Sequence, residues 1–243
     1  MSSCHLSLAK AEFYPQNFRV QAPEPLPEPL ITPRKRGCII VNAAAESSAP
    51  LLDREPAPVE EGAAPAAERL LVPAQFGLVP HWVKSASDGR LRALKLVNAK
   101  IDNLTTGTAF RDAWLNGQRC IIPMQSFQVD DLRPGKPLPT RITRVDNQPM
   151  GAAGIWARWA GADGDIIVSY ALITINANAH ALMNRYGQPG NDKAMPAILN
   201  EGAYDAWLNA KVAKAKEFLR PYPAEKLRAN PVEKGRKPPP PLF

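Results

Sequence analysis

Three cysteines (Cys4, Cys38, Cys120) and three histidines (His5, His81, His180) are the side chains in this 243-residue chain best suited to covalent or proton-transfer chemistry. Their spacing excludes several chemistries. There is no CxxC and no HExxH, so neither a structural zinc site nor a zincin is supported, and no metal is expected. GxSxG and P-loop patterns are also absent. An odd, widely spaced set of thiols argues against a disulfide framework and fits a reducing cytosol. Cys38 in RGCIIVNA and Cys120 in RCIIP read as small buried hydrophobes. Cys4 has a nucleophilic thiol near the chain start. Asn98, in VNAK, reads either as a turn residue or as part of a site. Trp82 reads either as core or as a platform for an exposed base. Lys84, Arg90, Arg92, Lys95 and Lys100 form a basic stretch, either a solvated face or a set of phosphate contacts.

Those residues need a scaffold, and the composition supplies one. Hydrophobic content of 45% with 22% charged residues is that of a globular protein with a real core. No apolar run approaches a membrane span, and a basic n-region followed by an apolar stretch is missing, so no membrane segment or secretory signal is expected. Net charge is +7, which permits a polyanionic partner without demanding one. Proline is over-used at 26 residues and is clustered. The segment 21–33 is expected as extended surface chain, 44–68 as an exposed Pro/Ala-rich insertion with little fixed structure, and 221–243 as a loose basic, Pro-rich tail. Strands are expected at 36–43, from 69 until the prolines intervene, at RCIIP, across TRITRV, as a hairpin from MGAAGIWARWA to DIIVSYALITINAN, and at AMPAIL. Helices are expected over 110–117, NANAHALMNRY and EGAYDAWLNAKVAKAKEFL. Short strands that do not alternate regularly with helices predict an α+β fold with a mainly antiparallel, barrel-like sheet, in one domain over 1–220.

Four segments stand in a particular order: QFGLVPHW at 75–82, VNAK at 97–100, FRDAWLNGQRCIIP at 110–123, and ALITINANAH followed by KAMPAIL at 193–199, with YDAWL soon after. This series resembles the SRAP family, the SOS-response-associated peptidases or abasic-site processing proteins. Its pattern runs WGLIPxW, NARxE, FRxAxxxxRCIVPAxGFYEW, a T-x-A strand end, RMPxIL and a WL-containing helix. The resemblance spans residues 75–208. It implies the SRAP fold and action on, or binding of, abasic sites in single-stranded DNA during the DNA-damage (SOS) response. It also implies peptidase (hydrolase) or crosslinking and lyase chemistry and no cofactor. In the family an N-terminal cysteine uses its α-amine and thiol together to capture the ring-opened aldehyde as a thiazolidine, since a five-membered ring needs nitrogen and sulfur from one residue. A Glu and a His supply acid–base help.

Carried over residue by residue, the resemblance is partial. Asn98 keeps the family Asn, and Trp82 the Trp of the first motif. Lys100 replaces the Arg of NAR, keeping charge but losing the planar fork. Lys193 stands beside Ala194, where RMP has its Arg. The family Glu falls on Val129, and the family His on Gly187 or Asp192, depending on loop length. Cys4 follows Ser2 and Ser3, so its nitrogen is an amide. His180 is the nearest candidate to replace the missing His. A DNA-facing surface is expected to hold Trp82, Asn98, Lys100 and Lys193, with the N-terminus nearby. The expected partner is single-stranded or abasic DNA, bound by a cytoplasmic, nucleoid-associated monomer with degenerate covalent chemistry. The alternative is a protein-interaction module that uses its Pro-rich segments and does not bind DNA.

Overall fold

A computed structural model describes residues 4–44 and 68–232. Its strands, in chain order, are β1 (Cys4–Leu6), β2 (Leu30–Ile31), β3 (Arg36–Asn42), β4 (Arg69–Phe76), β5 (Asn98–Lys100) and β6 (Arg119–Met124). They continue as β7 (Ser126–Asp131), β8 (Leu138–Arg144), β9 (Met150–Ala160), β10 (Ile166–Asn176), β11 (Ala194–Pro196) and β12 (Leu227–Pro231). The α-helices are α1 (Ala86–Ala93), α2 (Arg111–Leu115), α3 (Tyr204–Asn209) and α4 (Val212–Ala215).

The near-continuous apolar runs close a ring. β3 pairs antiparallel with β4, β4 parallel with β10, β10 antiparallel with β9, β9 antiparallel with β6, and β6 antiparallel with β3. Strands buried on both faces read as unbroken hydrophobic sequence, which is why Cys38–Val41 and Cys120–Ile122 do so. The small residues of MGAAG are needed inside the barrel: a Cβ on Gly154 would sit 2.6 Å from Ile122 Cδ1 and 2.8 Å from Cys120 Sγ. β5 and β11 extend β10 at its C-terminal end. A second, antiparallel sheet runs β12–β8–β7–β1–β2. The fold is thus α+β and mainly antiparallel, as the short-strand pattern predicts.

Arg119 explains the spacing between RCIIP and YDAWL. Its buried guanidinium donates to the carbonyl oxygens of Trp207 (3.1 Å) and Ala210, while the Trp207 indole N–H returns 2.9 Å to the Cys120 carbonyl. These bonds dock α3 on β6. They also take carbonyls that the end of the helix leaves open, so the single helix expected over 201–219 breaks into α3 and α4 at Ala210, whose ψ is 137°.

Other expectations differ in instructive ways. NANAHALMNRY is a turn region with one 3-10 turn, Met183–Arg185, because side chains satisfy the backbone amides. Asn176 accepts from the Asn178 N–H, and His180 Nδ1 accepts from the N–H groups of Leu182 and Met183. The tail boundary at 221 falls too early, since Leu227–Pro231 pairs with β8 as β12. The Ala43 N–H donates 2.9 Å to Glu68 O, so the 44–68 insertion leaves from the end of the β3–β4 hairpin; residues 45–67 themselves lie outside the described residues. No helix is long and apolar enough to cross a membrane, and no group of three or more His, Cys, Asp or Glu is placed for a metal ion, both among the described residues.

Candidate functional site

The C-terminal end of β10 is where the carried-over positions meet. Thr174 pairs in register with Lys100 of β5, and Asn176 with Ala194 of β11. A cleft of about 500 Å³ opens there, lined by Lys100, Asp102, Val129, Thr174, Asn176 and the 186–194 loop. Val129, Gly187, Asp192, Lys193 and Lys100 are more than 90 residues apart in sequence at the extremes, yet all five line this one cleft. Asn98 sits two residues before Lys100 on β5, so the two share a face of that strand.

The 186–194 loop is held by its own polar groups. Asn178 Nδ2 donates 2.9 Å to Asp192, and Asn178 Oδ1 accepts 2.7 Å from the Lys193 N–H. The Lys193 ammonium donates to the carbonyls of Gly187 (3.4 Å) and Gln188 (2.5 Å). Gly187 itself turns the chain with φ +89°, a conformation that L side chains avoid. A histidine at this position would be strained in this backbone conformation. The lining carries two lysines and two aspartates, so it is charge-balanced rather than uniformly basic.

Sequence reasoning missed Thr174. It is 2% exposed, it lines the cleft, and its hydroxyl has no hydrogen-bond partner among the described residues. Buried hydroxyls are ordinarily paired, so this one stands out, sealed beneath the cleft surface. The signal was the alternation of Leu172, Thr174 and Asn176 down a strand whose last residues turn polar.

Cys4 lies inside β1, opposite Gln128 of β7, with 7% exposure. Cross-strand partners share a face, and alternation turns Val129 to the other one. The thiol is therefore directed away from the face by which β7 walls the cleft. Burial pushes its pKa up, nearby Asp130 adds to this, and Arg141 opposes it. Cys38 is pushed up to about 11 by burial, and Cys120 is raised by burial as well. None of these environments favours a thiolate.

The histidines are accounted for by structure. His180 Nε2 donates 2.7 Å to Tyr222 O while Nδ1 accepts two amides, so it does not replace the missing acid–base group. His5 is 1% exposed, 2.8 Å from the Tyr170 hydroxyl and edge-on to Phe76, and burial pushes its pKa down to about 4. Trp82 is 40% exposed, its N–H donates 3.2 Å to Thr108 O, and Arg92 lies 5.1 Å over its ring. Thr108 lines a second hollow of about 560 Å³ with His81, Asp112 and Arg158, where His81 Nδ1 is 3.5 Å from Asp112. Arg158 pairs with Val168, six residues up β10 from Thr174, or roughly 20 Å at 3.4 Å per residue. The structure thus places Trp82 against Thr108 at this second hollow, while Lys100 lines the cleft at the C-terminal end of β10.

Comparison with known proteins agrees with the order of the motifs. The family described as SOS response associated peptidase (SRAP) matches residues 8–235. The abasic site processing protein YoqW of Bacillus subtilis (strain 168) is 30% identical over 162 residues, covering 65% of this chain and 67% of its own. The abasic site processing protein HMCES of Gallus gallus is 25% identical over 213 residues, 79% of this chain and 60% of its own. A crystal structure of a Bordetella bronchiseptica protein superposes with a TM-score of 0.77 at 32% identity, covering 95% of this chain and 99% of that one. A Bacteroides thetaiotaomicron protein shares the fold at TM-score 0.73 and 21% identity, over 96% and 92% of the two chains.

Proposed function

Because the chain belongs to the SOS response associated peptidase (SRAP) family, we propose that it binds abasic single-stranded DNA in the Lys100–Lys193 cleft and holds the lesion without sealing a permanent thiazolidine crosslink. The observation that carries this reading is the pairing of Cys4 with Gln128: it turns the thiol away from the cleft in which Lys100, Val129, Gly187, Asp192 and Lys193 come together. Ser2 and Ser3 precede Cys4, so in the chain as encoded its nitrogen is an amide that cannot close a ring with the thiol. Val129 offers no proton where the family Glu would stand; of the two positions for the family His, Gly187 offers none, and Asp192 is a carboxylate that accepts from Asn178. What the cleft retains is recognition chemistry. Two ammonium groups suit phosphates, and Asn176 suits the sugar hydroxyls or an open-chain aldehyde. The setting that fits is a monomeric DNA-damage protein of the cytoplasm, associated with the nucleoid when DNA is bound.

Fluorescence anisotropy on single-stranded oligonucleotides with and without one abasic site tests the reading. We expect tighter binding to the abasic strand. If Lys100 and Lys193 each neutralise one phosphate, they contribute about 1.4 to the slope of log K against log salt, at roughly 0.7 per contact on single strands. No measurable affinity at physiological salt would overturn this reading and favour an interaction module built on the Pro-rich segments.

A further inference from the structure

We propose that Lys100 is a nucleophile: its ε-amine forms a reversible imine with the ring-opened aldehyde of the abasic sugar, and the imine then releases the 3′ strand by β-elimination. This inference rests on the reading that the cleft binds abasic DNA.

The cleft has two primary amines, and the structure distinguishes them. Lys193 spends its ammonium on the carbonyls of Gly187 and Gln188, and so fastens the loop that forms one wall. Lys100 is exposed and makes no hydrogen bond or ion pair with the described residues. It stands in register with Thr174, a residue that lines the same cleft. Asp102 follows two residues later in the 3-10 turn Ile101–Asn103 and lines the cleft too, with no hydrogen bond or ion pair to any described residue. A nucleophilic amine and an unpaired carboxylate to serve as base are the groups an imine lyase requires.

The chemistry balances without a cofactor. The unprotonated Lys100 Nζ attacks C1′ of the aldehyde. A solvent water donates a hydrogen bond to the developing oxyanion and then to the carbinolamine hydroxyl. Proton transfer from nitrogen to that hydroxyl, with loss of one water, leaves the C=N bond. The protonated imine acidifies C2′–H. The Asp102 carboxylate takes that proton and the C2′–H pair forms the enamine C2′=C1′–N; the nitrogen pair then re-forms C1′=N⁺, the C1′=C2′ pair shifts to C2′=C3′, and the C3′–O3′ bond breaks with its pair leaving on the 3′ phosphate. Water then hydrolyses the imine, returning the amine and an unsaturated aldehyde on the 5′ fragment. Since the imine is hydrolysable, this path leaves no heat-stable adduct unless it is reduced.

The experiment is borohydride trapping of the full chain on a labelled abasic single strand. It is read as adduct and as cleaved strand per DNA bound, with the crosslinked peptide mapped by mass spectrometry. We expect the adduct on Lys100, and at least a tenfold loss of both products in Lys100→Arg, which keeps the charge but is not a nucleophile under these conditions. The melting temperature of that variant checks its fold. An adduct mapped to the α-amine or to Lys193, or unchanged trapping in Lys100→Arg, would overturn the assignment. So would the absence of trapped product while binding is intact. Loss of binding by the unaltered chain would instead overturn the reading on which the proposal rests.

Discussion

His5 makes the stability of this fold depend on pH in a window where few other groups act. It is fully buried between the two sheets, with Tyr170 and Phe76 around it, and its pKa is driven from 6.5 down to about 4 by desolvation. The unfolded chain therefore takes up a proton near pH 6.5 that the folded chain refuses until about pH 4. Stability is at its full value above pH 6.5 and falls as the pH drops through the interval between those two values. Linkage over that interval gives a loss of roughly 2 kcal/mol between pH 8 and pH 5, approaching about 3 kcal/mol by pH 4. For a domain of this size 2 kcal/mol corresponds to a fall in Tm of about 4–8 °C. Asp131, Asp146 and Asp205 do not compete in this window. Hydrogen bonds from Arg133, Arg144 and Arg69 hold them below the ordinary 3.8, so their contribution is lost only at lower pH. The assay is urea denaturation of the protein and of His5→Gln at pH 8 and pH 5. Gln keeps a polar group for Tyr170 and does not titrate. We expect His5→Gln to be less stable at pH 8 but to lose about 2 kcal/mol less on acidification. Equal losses in the two proteins would refute the reasoning.

Two further substitutions separate scaffold from site. Arg119→Ala leaves the carbonyls of Trp207 and Ala210 without their donor and unseats α3 from β6, so urea denaturation should show a loss of about 3 kcal/mol, in line with removing one partner of a buried charged network. Thr174→Val removes an unpartnered buried hydroxyl sealed from solvent, so the melting temperature should hold or rise by the equivalent of about 1 kcal/mol while anisotropy shows unchanged binding to the abasic strand. A stability loss would mean that the hydroxyl serves the fold.

Much of the scaffold was legible because its signals are local. Unbroken apolar runs gave β3, β6 and the β9–β10 hairpin, and Gly117, with φ +69°, ends the short helix α2. The failures came where side chains at long range decide the backbone. Arg119 breaks a periodic helix at Ala210, 91 residues away, and His180 satisfies the amides that a helix over NANAHALMNRY would have used. β1 and β12 are short and polar or mixed, and they exist only because β7 and β8 offer edges to them. In the site, ordered motifs led to Lys100, Val129, Gly187, Asp192 and Lys193, since each motif is tied to a strand end at the cleft. They did not reveal which way Cys4 faces. That depends on a cross-strand register with Gln128, which no local pattern encodes.

The claim at the centre is that this cleft handles an abasic strand without permanent capture. The most direct test incubates the full-length protein with abasic single-stranded DNA, omits any reductant, heats the mixture in denaturant and resolves it on a gel. General acid–base help of the kind absent at Val129 is worth about 10²–10⁴-fold, and the ring-forming amine is absent as well. We therefore expect no shifted band under conditions where anisotropy shows the strand fully bound. A heat-stable, reductant-independent crosslink mapped to Cys4 would contradict this, and would require trimming of Ser2 and Ser3 together with a turn of β1 that brings the thiol round to the cleft.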